Sequence, residues 1–399
     1  MVETPWLTII GLSEDGPQGL PPASRDALRQ AEVVMGPPRH LALLGGIAAQ
    51  QIEWPVPFAD GLPLLMALRG RRVVVLVSGD PFWFGAGSVI AAHLAPGEWQ
   101  AMPAPSTFSL AAARLGWRLE DTLCLALHAA PLTRLRPHLA PGARAIVLLR
   151  DGQALQDLAG WLCAQGFGDT DMTVLEALAG PRERITEAVA RALPVQEFAH
   201  PLCVALEFAG EGAALPRCSG LPEGFFESDG QITKRPIRAL TLSALQPQPG
   251  LLLWDIGGGS GSVAIEWLLA HPTTQAIAFE PRAHRAATIR RNADGLGVDR
   301  LQIVEGRAPE ALAGQPLPDV IFVGGGLSQG LLDHLSAILA KGTRLVANAV
   351  TLESEALLAM AQARLGGTLL RFELAEAAPL GTKRGWKASY PVVQWAVVL

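Results

Sequence analysis

The residues Leu252-Leu-Trp-Asp-Ile-Gly-Gly-Gly-Ser-Gly-Ser262 carry the most chemistry in this sequence. An apolar run ends in an acid, Asp255. Gly257, Gly258, Gly259, Ser260 and Gly261 follow, and helical spacing then sets in from Val263 to Ala270. The G-x-G-x-G spacing of Gly257, Gly259 and Gly261 is tighter than the G-x-G-x-x-G of dinucleotide folds, so a pyrophosphate is not the obvious ligand. Beyond a second apolar run, Ala276-Ile-Ala-Phe279, stands Glu280, placed to accept two hydrogen bonds from vicinal ribose hydroxyls. An acid before the loop, a close backbone approach and an acid for a ribose fit S-adenosylmethionine. Asp255 would favour its ammonium end, and the start of the helix its carboxylate.

A second constellation lies in the other half of the chain. Arg72-Val-Val-Val-Leu-Val77 is the pattern of a central parallel strand covered on both faces, and it runs into Ser78-Gly-Asp-Pro-Phe-Trp-Phe-Gly-Ala-Gly87. Ligands of open α/β sheets gather at such strand ends, which makes Ser78, Gly79, Asp80 and Phe82 candidate contacts; a plain Gly-Asp-Pro turn with aromatic packing is the simpler reading. Pro103-Ala-Pro-Ser-Thr107 precedes a helix from Phe108 to Leu115, and Ser106 or Thr107 is either its cap or a ligand contact.

These groups need strands and helices to hold them. Trp6 to Ile10 reads as a strand ending at Gly11, and Ser24 as the cap of a helix with Ala27, Leu28, Ala31 and Val34 on one face, ended by Gly36-Pro37-Pro38. Further strands are expected at Ala145 to Leu149, Met172 to Glu176 and Pro201 to Phe208, with a helix over Ala154 to Gln165. From Ala209 to Gln231 the periodicity stops and glycine and proline crowd in, so a linker with little core is expected there. The organisation is then a domain over 1–212 and a second over 213–399. The second contains a helix into Leu245, strands at Leu301 to Val304, Asp319 to Val323 and Thr343 to Val350, and a C-terminal loop Gly381 to Lys387. Alternating strands and helices make both domains α/β, the second a doubly wound sheet. Arg282, Arg285, Arg290 and Arg291 read most simply as a solvated helix face.

Composition sets the outer bounds. A chain of 399 residues, 49% hydrophobic and 17% charged, has ample core for two or three domains. A net charge of −5 offers no global field toward nucleic acid or anionic lipid. No apolar run approaches the ~20 residues of a membrane span, and the first residues lack a basic targeting region. The four cysteines form no C-x-x-C pair, and three lie in apolar runs, as expected of buried free thiols in a reducing cytoplasm. The eight histidines fall in no metal-ligand spacing and no G-x-S-x-G elbow occurs, so neither a metal nor a serine nucleophile is expected.

On these residues the chain resembles known families over nearly its whole length. Residues 1 to about 212 resemble the tetrapyrrole methylases, with Val77 to Gly85 in place of their S-adenosylmethionine loop and Pro103 to Thr107 in place of their second contact. The run Leu175-Glu-Ala-Leu-Ala-Gly-Pro-Arg-Glu-Arg-Ile185 is similar to the branch that methylates carbon 5 of precorrins. The first loop is Gly11-Leu-Ser-Glu-Asp-Gly16 where many members have a glycine-proline-glycine loop, and Pro103-Ala104 stands where they often have proline-glycine. Residues 213–399 resemble the decarboxylating precorrin methyltransferases that act at carbon 15, a Rossmann-like fold. The match runs through Thr233-Lys234, Ile237-Arg238, Asp255 to Gly261, Glu280, Gly306-Arg-Ala-Pro-Glu310, Val323 to Gly326 and Asn348 to Glu353.

The resemblance implies a fused precorrin methyltransferase of cobalamin biosynthesis with two S-adenosylmethionine sites, a tetrapyrrole substrate, no metal, and a homo-oligomeric state. It implies cofactor contacts from Thr233, Ala308 and the glycine loop in the second half. Arg238, Arg307, Lys383 and Arg384 are candidates to hold the carboxylate arms of the substrate, although each also reads as an ordinary surface charge. An S-adenosylmethionine-dependent RNA methyltransferase is the enzyme alternative, and net acidity counts against it. A non-catalytic sensor would need only one intact pocket.

Overall fold

A computed structural model describes residues 5–399; residues 1–4, which open the segment read above for a targeting signal, lie outside the described part. The chain divides into two compact units. One comprises residues up to Ala130 with Ala140–Ala213, the other Pro131–Leu139 with Ala214–Leu399.

In the first unit, β1 (Leu7–Leu12), β2 (Val33–Gly36), β3 (Gln50–Glu53), β4 (Val73–Ser78) and β5 (Trp99–Met102) form a parallel sheet in the order β3-β2-β4-β1-β5. Alternation of side chains across the pleat sends Leu7, Ile9, Val73 and Val75 into one core and Ile10, Leu12, Val74 and Leu76 into the other, so continuous apolar runs are what this position in a sheet requires. A second sheet contains β6 (Thr122–Ala126), β7 (Arg144–Leu149), β8 (Asp171–Glu176), β9 (Arg184–Val189) and β10 (Leu202–Glu207), in the order β6-β7-β10-β8-β9. Only its β6–β7 pair is parallel.

One segment departs from its sequence reading. The first helix spans Pro22–Gln30 with Pro21 at its cap, Ser24 is buried inside it, and Val33–Gly36 is a strand rather than its last turn. Val33, Val34 and Met35 bury on both faces of the sheet, and that burial overrides a helical spacing which included Val34.

The second unit is a seven-stranded sheet of β11 (Leu252–Ile256), β12 (Gln275–Glu280), β13 (Gln302–Glu305), β14 (Val320–Val323), β15 (Arg344–Ala349), β16 (Thr368–Phe372) and a last strand that follows the hairpin β17 (Ala375–Leu380) and β18 (Lys383–Ala388). That strand, β19 (Val392–Val398), inserts antiparallel between β15 and β16, giving β13-β12-β11-β14-β15-β19-β16. The order reverses between β11 and β14, so the crevice beyond their carboxyl ends is the place where such folds hold ligands. The expected loop 381–387 is therefore the tip and second strand of a hairpin.

The stretch 209–231 is not a passive linker. Leu215, Leu221 and Phe226 are buried in the core of the second unit. Arg238 holds them there: it is 0% exposed, lies over the Phe226 ring, pairs with Glu266 at 2.5 Å, and donates to the carbonyls of Leu221 and Thr233. Glu266 completes the clamp by accepting from the amides of Gly220 (2.6 Å) and Leu221 (2.9 Å). Arg238 therefore cannot serve as a fork for substrate carboxylates, because all its donors face inward. Arg285 and Arg291 likewise bind Asp229 and Glu227 and secure the end of this stretch. The thiols also differ from expectation: only Cys203 is fully buried, and Cys163 and Cys218 are exposed.

Removing one partner of the buried clamp leaves the other charge without compensation. Glu266→Ala should lower the stability of the second unit by about 3 to 5 kcal/mol, read as a shift in its urea transition followed by tryptophan fluorescence. An unchanged transition would mean that the pair is not what ties residues 220–238 to this core.

Candidate functional sites

In the first unit the carboxyl ends of β1, β4 and β5 are bound to one another through backbone. The amide of Gly79 donates to the Leu12 carbonyl (3.2 Å) and that of Ala104 to the Gly79 carbonyl (3.2 Å). A Cβ on Gly11 would collide with the Gly79 carbonyl oxygen and come within 2.6 Å of the Ala104 nitrogen, so only glycine permits the three segments to meet. They form one wall of a cavity of about 640 Å³. Ser78, Gly79, Asp80, Ser106 and Thr107 all line it, and so do Trp83 and Phe84, whose rings pack on Phe108.

Three expectations change in detail. Asp80 accepts from the Phe82 amide (2.8 Å), so one carboxylate oxygen serves its own turn. Phe82 packs against Trp99 at 5.5 Å between ring centres, and from this turn it is the next two aromatic residues, Trp83 and Phe84, that face the cavity. Ser106 is the helix cap, accepting from the Ser109 amide (3.1 Å), and it lines the cavity as well.

The same cavity carries a polar cluster not singled out from sequence. Arg39 binds Glu14 and donates to Ser78 Oγ (3.0 Å), Arg182 reaches the other oxygen of Glu14 (3.2 Å), and His40 Nε2 stands 3.3 Å from Ser78 Oγ. His40 is buried. Desolvation, aided by the charge of Arg39, pushes its pKa down to about 3, so the imidazole stays neutral. Glu14 follows β1 and Arg39-His40 follows β2, both at carboxyl ends of parallel strands. Recognising β2 as a strand would have pointed to them.

In the second unit the glycine loop closes over β11. The amides of Gly257 and Gly258 both donate to the Phe279 carbonyl, and Gly261 donates to the carbonyl of Gly258. Gly257 has φ 78°, and a Cβ there would lie 2.7 Å from the Gly325 nitrogen, so the motif Val323 to Gly326 closes against the loop as backbone on backbone. Glu280 is buried and accepts from the amides of Gly259 (2.9 Å) and Arg282 (3.1 Å). A carboxylate offers about four acceptor positions, so two donors leave capacity for ribose hydroxyls.

Asp255 is buried, and its Oδ2 accepts from Ala264 in the first turn of the Ser262–Ala270 helix (3.2 Å). That end of the helix thus already faces a carboxylate of the protein. Its other oxygen, Oδ1, finds no hydrogen-bond partner among the described residues. Burial raises its pKa against the Ala264 hydrogen bond, and the Glu280 charge adds to the rise, to about 7. Two buried acids, one with an unsatisfied oxygen, fit a ligand that brings a positive group and vicinal hydroxyls. The residues present therefore suit S-adenosylmethionine.

The remaining candidates lie apart in character. Ser260 is buried, with its carbonyl bound by Asn292 (2.9 Å). Thr233 is half-buried, its carbonyl held by Arg238, and Ala308 packs against the core beside β13. Arg307 is exposed on the loop after β13, and Lys383 and Arg384 are exposed on β18. Asn348, in another matching run, is engaged by Thr241 (2.9 Å) and Gln394 (2.9 Å) in a buried polar network.

A lined cavity in one α/β unit and buried acids at the switch point of a seven-stranded sheet in the other suit the class of methyltransferases, and comparison with known proteins supports that class. Residues 7–194 match the Tetrapyrrole (Corrin/Porphyrin) Methylases and residues 224–399 the Precorrin methyltransferase domain. A protein of Sinorhizobium sp named precorrin-6Y C(5,15)-methyltransferase (decarboxylating) is 50% identical, over 99% of this chain and 97% of its own. One of the same name from Mycobacterium tuberculosis is 42% identical, over 98% of this chain and 99% of its own. The crystal structure of the C-terminal domain of precorrin-6Y C5,15-methyltransferase from Rhodobacter capsulatus is 56% identical, covering 46% of this chain and 100% of that one with a TM-score of 0.45. The chain belongs to the family of decarboxylating precorrin-6Y C5,15-methyltransferases.

The protonation of Asp255 makes ligand binding in the second unit depend on pH. Below about pH 7 the free site holds a proton on Asp255, and a cationic ligand group beside Oδ1 expels it, so affinity falls as pH drops below 7 and levels off above. Calorimetry with S-adenosylmethionine should show this slope at one of the binding events. Asp255→Asn should remove the slope and weaken that event by about 1 to 3 kcal/mol. A slope that survives the substitution would place the titrating group elsewhere.

Proposed function

We propose that the chain is a bifunctional precorrin methyltransferase in which each unit holds its own S-adenosylmethionine. The first unit methylates carbon 5; the second methylates carbon 15 and removes carbon dioxide from the acetate on carbon 12. The observation that carries this reading is the presence of two unlike sites: a lined cavity at the ends of β1, β4 and β5, and the buried acids Asp255 and Glu280 at the ends of β11 and β12. Relatives matching almost the whole chain, and both of its family segments, support it. An RNA substrate has no comparable support.

When bound, S-adenosylmethionine supplies an electrophilic methyl group on sulfur. The meso carbon of a reduced tetrapyrrole is already nucleophilic through its conjugated nitrogens, so the protein contributes position. Holding the reacting carbon at about 3 to 3.5 Å in line is the larger part of the catalysis. Gly11 and Gly257 serve that end by letting backbone close tightly around each site. In the decarboxylation a conjugated imine of the macrocycle takes up the electron pair left by carbon dioxide. The protein then need only orient the acetate without over-stabilising it. With Arg238 committed to the core, Arg307, Lys383 and Arg384 remain for the other carboxylate arms. A reducing cytoplasmic setting belongs to the same reading, supported by four unpaired thiols.

The division of labour is tested by product masses. Asp80→Ala should leave one methyl addition and the loss of carbon dioxide. Gly257→Val, which drives a Cβ into the Gly325 amide, should leave one methyl addition without decarboxylation. Carbon dioxide loss that persists in Gly257→Val would assign decarboxylation to the other unit.

A further inference from the structure

Methyl transfer from a sulfonium to a neutral framework carries a positive charge with it, and that charge must finally leave as a proton. At a meso carbon the hydrogen already present is the one whose loss restores the conjugation broken by the new bond. A base is therefore needed beside the macrocycle.

The ionisable groups lining the cavity of the first unit include Glu14, Arg39, His40, Asp80, His128, Arg150 and His200, and Asp80 already accepts from the Phe82 amide. Glu14 is taken up by Arg39 and Arg182. His40 is 1% exposed against Ser78, so it can neither meet a large substrate nor return a proton to water. His200 differs. Its Nδ1 lies 3.0 Å from the Arg150 carbonyl, and because a carbonyl only accepts, Nδ1 carries the hydrogen and Nε2 keeps the lone pair. We propose that Nε2 of His200 is the general base of the methyl transfer in the first unit. This rests on the assignment of the carbon-5 reaction to that unit.

A second observation concerns what presents the ring. Glu176, 1% exposed, accepts from Nε and Nη2 of Arg184 (2.6 and 2.7 Å) and from the amide of Ala199 (2.6 Å); Arg184 also donates to the Glu197 carbonyl (2.7 Å). Both partners belong to the run Leu175–Ile185 that carries the likeness to the carbon-5 branch, and together they clamp the residues just before His200. They are positioning residues. The charges around the ring oppose one another. Burial and Arg39 favour the neutral form, whereas the Arg150 carbonyl, Glu14 and Asp151 favour the imidazolium, and the balance lies below the ordinary histidine value. The ring is consequently neutral, and able to accept, near pH 7.

The new carbon–carbon bond forms as the methyl–sulfur bond breaks, and that bond pair stays on sulfur as a thioether. The carbon–hydrogen pair of the methylated carbon returns to the conjugated system, its proton passes to Nε2, and the imidazolium yields it to water.

His200→Asn keeps a donor toward the Arg150 carbonyl and removes the base. In the full-length protein with a precorrin substrate, the single-turnover rate of the first-unit methylation should fall on the order of 10²- to 10⁴-fold. The acid limb of its pH–rate profile should vanish, while calorimetric binding of S-adenosylmethionine and the loss of carbon dioxide stay unchanged. A rate within about threefold of the parent, or an acid limb that persists, overturns the proposal. Nitrogen NMR of labelled histidine in the parent is independent of the variant's folding, and a hydrogen found on Nε2 at pH 7 overturns it as well. If His200→Asn instead abolishes carbon dioxide loss and spares the other methylation, the division of labour between the units is what fails.

Discussion

Loops, connecting stretches and helix starts expose backbone amides that no neighbouring strand can satisfy, and this protein meets several of them with buried carboxylates. Glu280 takes the amides of Gly259 and Arg282, Asp255 that of Ala264, Glu266 those of Gly220 and Leu221, and Glu176 that of Ala199. A carboxylate suits the task because it accepts at about four positions and donates at none. It is costly to bury, and the cost is offset where an arginine stands beside it, as at Glu266 and Glu176.

Among the described residues no arginine side chain pairs with Asp255 or Glu280. That contrast sets the structural acids apart from the two proposed to bind the ligand. Paired acids lock segments together, whereas the unpaired pair at the ends of β11 and β12 keeps a site short of positive charge. Desolvation and mutual repulsion raise the pKa of Asp255, an arrangement that suits a cationic ligand on the proposed reading.

The first unit reaches selectivity by a different route. Its loops close through backbone at Gly11 and Gly79, and its cavity is faced with aromatic rings and with the Glu14, Arg39 and Ser78 cluster. A flat, carboxylate-bearing macrocycle suits such a lining, apolar for the ring system and charged at one wall. On the proposed reading, two units of different topology act on one substrate class, each adding a methyl group without a conventional nucleophile of its own.

Local pattern determined a good deal of this by itself. The buried strands β4, β7, β10, β11 and β12, the glycine loop Gly257–Gly261 with its flanking acids, and the Ser78–Gly87 turn are legible because continuous apolar runs and glycine spacings are properties of neighbouring residues. What only the tertiary structure decided involves partners far apart in the chain. Arg238 looks like a surface charge until Glu266, in the helix after β11, is seen to bury it; Val33–Gly36 looks helical until two strands flank it; and His200 carries no motif until the Arg150 carbonyl fixes its tautomer. Burial sums over contacts that folding brings together, whereas periodicity records only the path of the chain. For that reason the buried strands and the glycine loops could be read in advance, and the partners of single charged side chains could not.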